Sequence, residues 1–305
     1  MEKTFKSFTV LGILLFSCAI SSQETAKHQF ELRHDNDLFT FTDRYYTSGL
    51  FLSYRTVLTK GLFANSDEQL DLELSQLTYT PREIGDTDSD IFDRPYAGFL
   101  GINSRYSIAH NNELFDLSFL FGITGLNSGA GGFQRWYHKF FRFLDPAWVD
   151  EINDSFHLNI YASYTKEWRL SSAPFGIRFA LKPSVALGSK DVFFSQEAIA
   201  YFGKREAIKT SIANHRIGNT TSESFFALRG GIKFVNHNGL IEGNLLFEDN
   251  SPLTRPIESK ILFLGIDFYH RHLKNDYKIG IRFNTNETLS AKSHKFVQLA
   301  YARSF

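Results

Sequence analysis

A chain of 305 residues with 33 basic and 33 acidic side chains has no net formal charge, so it lacks the electrostatic footprint of a nucleic-acid partner. Aromatic residues make up 16% of it, with 32 Phe and 13 Tyr, a high share for a soluble enzyme. The single cysteine, Cys18, excludes a disulfide framework and a cysteine-based zinc site.

The first segment reads as an export signal over residues 1–22. Lys3 and Lys6 form its basic start, Phe8 to Phe16 its apolar run, and Ala19 to Ser22 a small-residue cleavage site. The run is too short to span a bilayer. Lipidation of Cys18 is the rival reading, but cleavage near Ser22–Gln23 is preferred, leaving one domain over residues 23–305. Either way the protein leaves the bacterial cytoplasm. No later window is apolar for long enough to be a spanning helix.

The stretch "DNDLFTFTDRYYTSGL", Asp35 to Leu50, follows. Asp35-Asn36-Asp37 sits inside one strand pattern, and Tyr45-Tyr46-Thr47-Ser48-Gly49 opens a second. Polar groups therefore gather at the rim of a β-hairpin. In "EQLDLELSQ", Leu70, Leu72 and Leu74 alternate with Asp71 and Glu73, a strand signal. "DRPYAG" reads as structural: Pro95 fixes the start of a strand, Gly98 permits close approach, and Arg94 can pair with a rim carboxylate.

"GAGGFQRWYHKFFRFLDPAW", Gly129 to Trp148, breaks the alternation and predicts a loop helix over about 130–143. Gln134 and His138 are one turn apart on its surface. Between Phe156 and Phe194 the register stays open, with a turn at Ser171-Ser172-Ala173-Pro174. Alternation then returns. Phe226, Leu228, Ile232 and Phe234 oppose Arg229, Gly231 and Lys233. Leu262, Leu264, Ile266 and Phe268 oppose Asp267, Tyr269 and Arg271. Tyr277, Ile279, Ile281 and Phe283 oppose Lys278, Gly280, Arg282 and Asn284.

A soluble β-sandwich would also alternate. Three features favour an all-β transmembrane antiparallel barrel instead. Many strands are long enough for a tilted bilayer crossing. Their apolar faces are rich in Leu, Ile and Phe, with Tyr and Trp near the ends, as at a membrane interface. The terminus "KFVQLAYARSF" puts Val297, Leu299, Tyr301 and Phe305 on one face, interrupted by Arg303, and ends on an aromatic. Closure follows because an open edge in hydrocarbon leaves unpaired backbone groups costing about several kcal/mol each. Twelve or thirteen windows alternate, and an even number of strands is usual, so twelve is expected.

Four ordered stretches carry a resemblance: "DND" before "LF", "DRYYTSGL", "DRPYAGFL", and "GGFQRWYH" ahead of "PAW". Together they resemble the LpxR-type lipid A deacylases of the bacterial outer membrane, over most of the exported chain. The resemblance implies a twelve-stranded barrel with its active site between the wall and an extracellular loop helix. The implied chemistry is similar to that of secreted phospholipase A2. A histidine activates water, and calcium stabilises the oxyanion of the 3′-linked acyl ester. Carried over, His138 is the general base, Gln134 its helix neighbour, Asn36 and Thr47 site residues, and Asp37 with Asn36 the calcium ligands. The implied partners are lipid A, as lipopolysaccharide, and outer-membrane lipids, with the chain a monomer. A hard cation on oxygen ligands and an imidazole titrating near neutrality suit that chemistry. No G-x-S-x-G elbow or H-E-x-x-H motif is present.

The sequence departs from the family at two points. Arg82 stands where a lysine follows the third strand, and Asp145 is the nearest acid after the helix in place of a glutamate. Asn36 and Asp37 face opposite sides of a regular strand, so both reach one site only where the strand ends or bulges. His34, His237, His270 and His272 lack persuasive ligand spacing, and the acidic runs Asp86–Asp90 and Glu248–Asn250 read as solvated loops. Two other readings remain. One is a phospholipase-like esterase with Ser48 or Ser53 as nucleophile. The other is a porin or structural barrel, in which Arg55, Glu73, Lys233 and Arg282 would line the lumen.

Overall fold

The computed structural model describes residues 26–305 apart from Phe41, Ala64, residues 172–175 and residues 219–221. The export signal and Cys18 fall outside the described residues. Those described form a closed barrel of twelve antiparallel strands. The strands are β1 (His28–Asn36), β2 (Tyr45–Val57), β3 (Asp67–Thr80), β4 (Ala97–His110), β5 (Glu113–Thr124) and β6 (Phe156–Ser171). They continue as β7 (Ile177–Gly188), β8 (Asp191–Lys204), β9 (Glu223–Asn238), β10 (Lys260–His272), β11 (Asn275–Asn284) and β12 (His294–Ser304). Each pairs with its sequence neighbours, and β1 closes on β12 from Gln29 opposite Ser304 to Asn36 opposite Val297. Closure gives every strand a partner on both sides, as hydrocarbon demands. The open stretch resolves into β6 and β7, with β8 beginning after the short turn at Ser189 and Lys190.

Alternation becomes an outer belt and a polar lumen. Leu262, Leu264, Ile266, Tyr277, Ile279 and Ile281 are exposed on the outside, while Asp267, Tyr269 and Arg271 are buried within. Burial without water requires each charge to be paired. Arg55 lies 2.8 Å from Glu31 and 2.9 Å from Asp71. Arg229 bridges Glu197 at 2.8 Å and Asp267 at 2.9 Å. After β8, residues 205–218 fold into the lumen at the end that carries the chain termini. There Arg216 donates to Ser107 at 2.6 Å, Gln69 to the His215 carbonyl at 2.8 Å, and Arg271 to the Thr210 carbonyl at 2.7 Å. Of the inward charges considered for a channel lining, Arg55 is sealed at this level, its guanidinium 3.1 Å from His215 of that segment. No helix of the described residues is long and apolar enough to cross a membrane.

The long connections 81–96, 125–155 and 239–259 crowd the opposite end. They carry helices α1 (Ala130–Phe141) and α2 (Gly239–Glu242). Helix α1 is slightly shorter than expected. Arg142 turns left-handed at φ 61, and the Phe143 N–H donates back to the His138 carbonyl at 2.9 Å, a C-terminal closure that ends the helix.

Candidate active site

The site lies on the outside of the wall, beneath α1. Asn36, Ser48, Thr78 and Gly98 form one register row across β1 to β4. They share the outward face with the exposed Leu32, Leu52, Leu74 and Ile102. At this level the wall carries small and polar groups where the belt below carries leucine, so a connection can lie flat on it. Gly98 is the closest approach: a Cβ there would sit 2.2 Å from Ser128 Oγ and 2.7 Å from Ala130 Cβ. From the same face Gln76 donates to the Ser128 carbonyl at 3.0 Å. These contacts seat the start of α1 on β3 and β4.

Helix α1 then turns Ala130, Gly131, Gln134 and His138 into the protein. His138 is only 3% exposed. Its Nδ1 lies 2.5 Å from the Leu144 carbonyl. A carbonyl can only accept, so Nδ1 carries the hydrogen and Nε2 is left to exchange protons. Nε2 stands 3.3 Å from Asp43 Oδ2. Burial raises the Asp43 carboxyl above its ordinary range, while His138 and a hydrogen bond from the Thr47 hydroxyl pull it back.

Gln134 is fixed with equal economy. The indole Nε1 of Trp148 donates to Gln134 Oε1 at 2.7 Å. An indole N–H can only donate, so this contact settles which way the amide faces. Gln134 Nε2 is consequently the free end, buried and without a hydrogen-bond partner. Trp148 itself has φ 47, a conformation that costs a non-glycine residue about 1–2 kcal/mol. A Cβ on Gly131 would come within 2.8 Å of its ring, so glycine is what lets ring and helix stack. Trp148→Phe keeps the ring and frees the amide to flip. We expect a folded barrel with about fivefold lower turnover, from loss of one oriented donor worth about 1 kcal/mol; unchanged turnover would show the orientation to be immaterial.

The hairpin supplies the opposing groups. Strand β1 stops at Asn36, which resolves the parity problem, since Asp37 already belongs to the turn. Asn36 Oδ1 accepts the Leu38 N–H at 2.7 Å. Asp37 Oδ2 accepts the Arg44 N–H at 2.9 Å and the Thr42 hydroxyl at 3.0 Å. Asp37 Oδ1 is buried with no partner. Burial pushes this carboxyl up to about 8, the charge of Asp43 adds to the effect, and the hydrogen bonds oppose it. Thr47 occupies a break in register between Tyr46 and Ser48. The break turns its side chain outward, where Thr47 Oγ1 meets Thr80 Oγ1 at 2.9 Å. Its carbonyl accepts the Asp37 N–H at 3.3 Å.

The structure thus brings His138, Asp43, Thr47 and Asp37 into one connected group, with Gln134 beside His138 on the helix. Asn36 adjoins it through the turn rather than by contact with His138. Sequence reasoning missed Asp43, Thr80 and Trp148 as site residues, although "DRYYTSGL" and "PAW" contain the first and last. Arg82 pairs instead with Glu83 at 2.9 Å on the surface, and Asp145 is exposed. Arg94 pairs with Glu287 at 3.0 Å, the rim contact expected of it. His270 and His272 stack at 6.4 Å on the outer wall.

The fit to a hard cation rests on Asp37. Because burial holds this carboxyl up, it carries charge near neutral pH only where a countercharge meets the unpartnered oxygen. The amide oxygen of the preceding residue, Asn36, accepts only the Leu38 N–H and keeps a second lone pair. Among the described residues no three His, Cys, Asp or Glu side chains cluster as a metal cage. Any such ion would therefore lean on amide, main-chain and water oxygens.

A closed barrel with an apolar outer belt and a polar site on its outer wall defines an integral outer-membrane β-barrel with a lateral site. The chain belongs to the family of outer membrane protein LpxR, whose sequence model matches residues 8–305, a match that supports an outer-membrane lipid A-modifying enzyme. Among solved structures, LpxR from Salmonella typhimurium is similar at 16% identity and a TM-score of 0.76, covering 91% of this chain and all (100%) of that one. The β domain of the Bordetella autotransporter BrkA follows at 10% identity and a TM-score of 0.44, covering 92% of this chain and 100% of its own. A search of curated proteins found no matching relative.

Proposed function

We propose that this barrel is a calcium-dependent hydrolase of lipid A that removes the 3′-linked acyl or acyloxyacyl chain with water activated by His138. The observation that carries the reading is the pairing of His138, held through Nδ1 by the Leu144 carbonyl, with a free Gln134 amide donor one turn away. Water gives a proton to His138 Nε2 as its oxygen adds to the ester carbonyl. The oxyanion that forms accepts a hydrogen bond from Gln134 Nε2. Collapse breaks the bond to the sugar oxygen, which leaves as an alcohol with the proton from Nε2. Calcium, when held by Asp37 and Asn36, supplies a Lewis acid toward the developing negative charge. The site lies at the barrel end opposite the chain termini, among the long connections, a placement that supports an outer-leaflet substrate, and one chain contains every group named.

Asp43 faces the imidazolium that this route creates, and Thr47 holds Asp43 in place. Asp43→Asn removes the countercharge and sets an amide against Nε2. We expect kcat to fall about 10²–10⁴-fold with little change in KM; a variant with wild-type kcat would reduce Asp43 to a packing residue.

One contact supports a second reading. Ser48 Oγ lies 3.4 Å from His34 Nε2 on the outer wall, a long but possible nucleophile–base pair. Ser53 faces the lumen and donates to Glu73 at 3.2 Å. A fluorophosphonate separates the two routes. The water mechanism is indifferent to it, whereas labelling of Ser48 with loss of activity would transfer the chemistry to serine. Lipid A deacylation by wild-type protein and by His138→Ala tests the main reading.

A further inference from the structure

The polarity of α1 is inverted for a helix packed on a protein. Its wall-facing side carries Gln134 and His138, while its free side is aromatic. Trp136 and Phe140 are each 60% exposed, and Leu144 just beyond the helix is 65% exposed. The rings form one continuous surface. Centroids lie 5.7 Å apart for Phe133 and Trp136, 5.9 Å for Trp136 and Phe140, 4.9 Å for Phe140 and Phe141, and 5.9 Å for Phe141 and Phe143. A contiguous exposed patch of this kind marks a partner or a membrane.

Two observations identify the occupant. The first is continuity. α1 sits on the outer wall of β3 and β4, directly above the exposed Leu52, Leu72, Leu74 and Ile102, so its rings extend the apolar belt of the barrel. The second is charge. From Ala130 to Phe143 the segment contains Arg135, Lys139 and Arg142 and no acid. Among the described residues the side chains of Lys139 and Arg142 have no ion pair or hydrogen bond and are exposed. Aromatic rings beside basic groups fit the boundary between acyl chains and anionic headgroups.

We propose that α1 is a membrane-embedded element. Its ring face lies among the acyl chains of the leaflet, Lys139 and Arg142 meet lipid phosphates, and the site beneath it is offered to lipid from the side of the barrel. This rests on the outer-membrane placement of the chain and not on the deacylase chemistry.

The test uses the full chain refolded into phosphatidylcholine–phosphatidylglycerol vesicles, with folding checked by heat-modifiable gel mobility. The fluorescence of wild type minus that of Trp136→Phe isolates Trp136. Acyl chains brominated near the headgroup are expected to quench that difference signal several-fold more than aqueous iodide does. Quenching by iodide alone would overturn the proposal. Quenching by neither, with a cross-linked dimer, would overturn it in favour of a second copy of the chain. Should Trp136→Phe not fold, Phe140→Trp gives the same reading as a gained signal. Brominated phosphatidylglycerol is expected to quench more than brominated phosphatidylcholine, and Lys139→Glu with Arg142→Glu to remove that preference. A preference that survives would overturn the role given to the two cations.

Discussion

His138→Ala is expected to lower the release of acyl chains from lipid A by about 10²–10⁴-fold, the range of a positioned general base. The barrel should be unaffected. His138 contributes one hydrogen bond to the Leu144 carbonyl and one contact to Asp43, while the fold rests on twelve paired strands. The variant should therefore keep its heat-modifiable mobility and bind substrate with little change in KM. That split is diagnostic, because an interaction made only in the transition state lowers kcat alone. Rescue by added imidazole would strengthen the assignment. Retained turnover in a folded His138→Ala protein would remove the base from the account.

Asp37→Asn is expected to abolish calcium stimulation, and its effect divides into two opposite parts. The wild-type carboxyl is buried with Oδ1 unpartnered, so burial disfavours its charged form and a cation restores it. The amide keeps acceptors for the Arg44 N–H and the Thr42 hydroxyl but carries no charge. Without calcium the variant should be as stable as wild type or more so. With calcium, wild type should gain thermal stability while the variant should not, since a ligand that binds only the folded state raises its midpoint by mass action. Calcium-dependent activity should fall on the order of 10²-fold or more. A thermal gain that persists in Asp37→Asn would place the cation elsewhere.

The barrel was legible because its two solvents impose a period of two on every strand. Leu262 to Phe268 against Asp267 to Arg271 read correctly for that reason alone. The helix was legible as a break in that period; spacing put Gln134 and His138 on one face of it, and the resemblance alone singled them out as site residues. Asp43 was not, because an acid in a short turn looks the same whether it faces water or an imidazole; only the folding of α1 onto β3 and β4 brings His138 to it. Trp148 escaped for a related reason. Its indole donates one hydrogen bond to Gln134, fourteen residues away in sequence, and no local pattern encodes that. The plug between β8 and β9 shows the same limit, since its partners Ser107, Gln69 and Arg271 come from three separate strands. Thr47 was picked out by resemblance, but its outward turn depends on a register break at Tyr46 and Ser48 that the alternation of β2 does not announce.

The most direct test of the central claim is mass spectrometry of lipid A from outer membranes containing the folded wild-type chain, incubated with calcium and with chelator. The account predicts that calcium produces lipid A lighter by one 3′-linked acyl or acyloxyacyl unit and that chelation prevents it. Lipid A of unchanged mass in the presence of correctly inserted protein and calcium would contradict it.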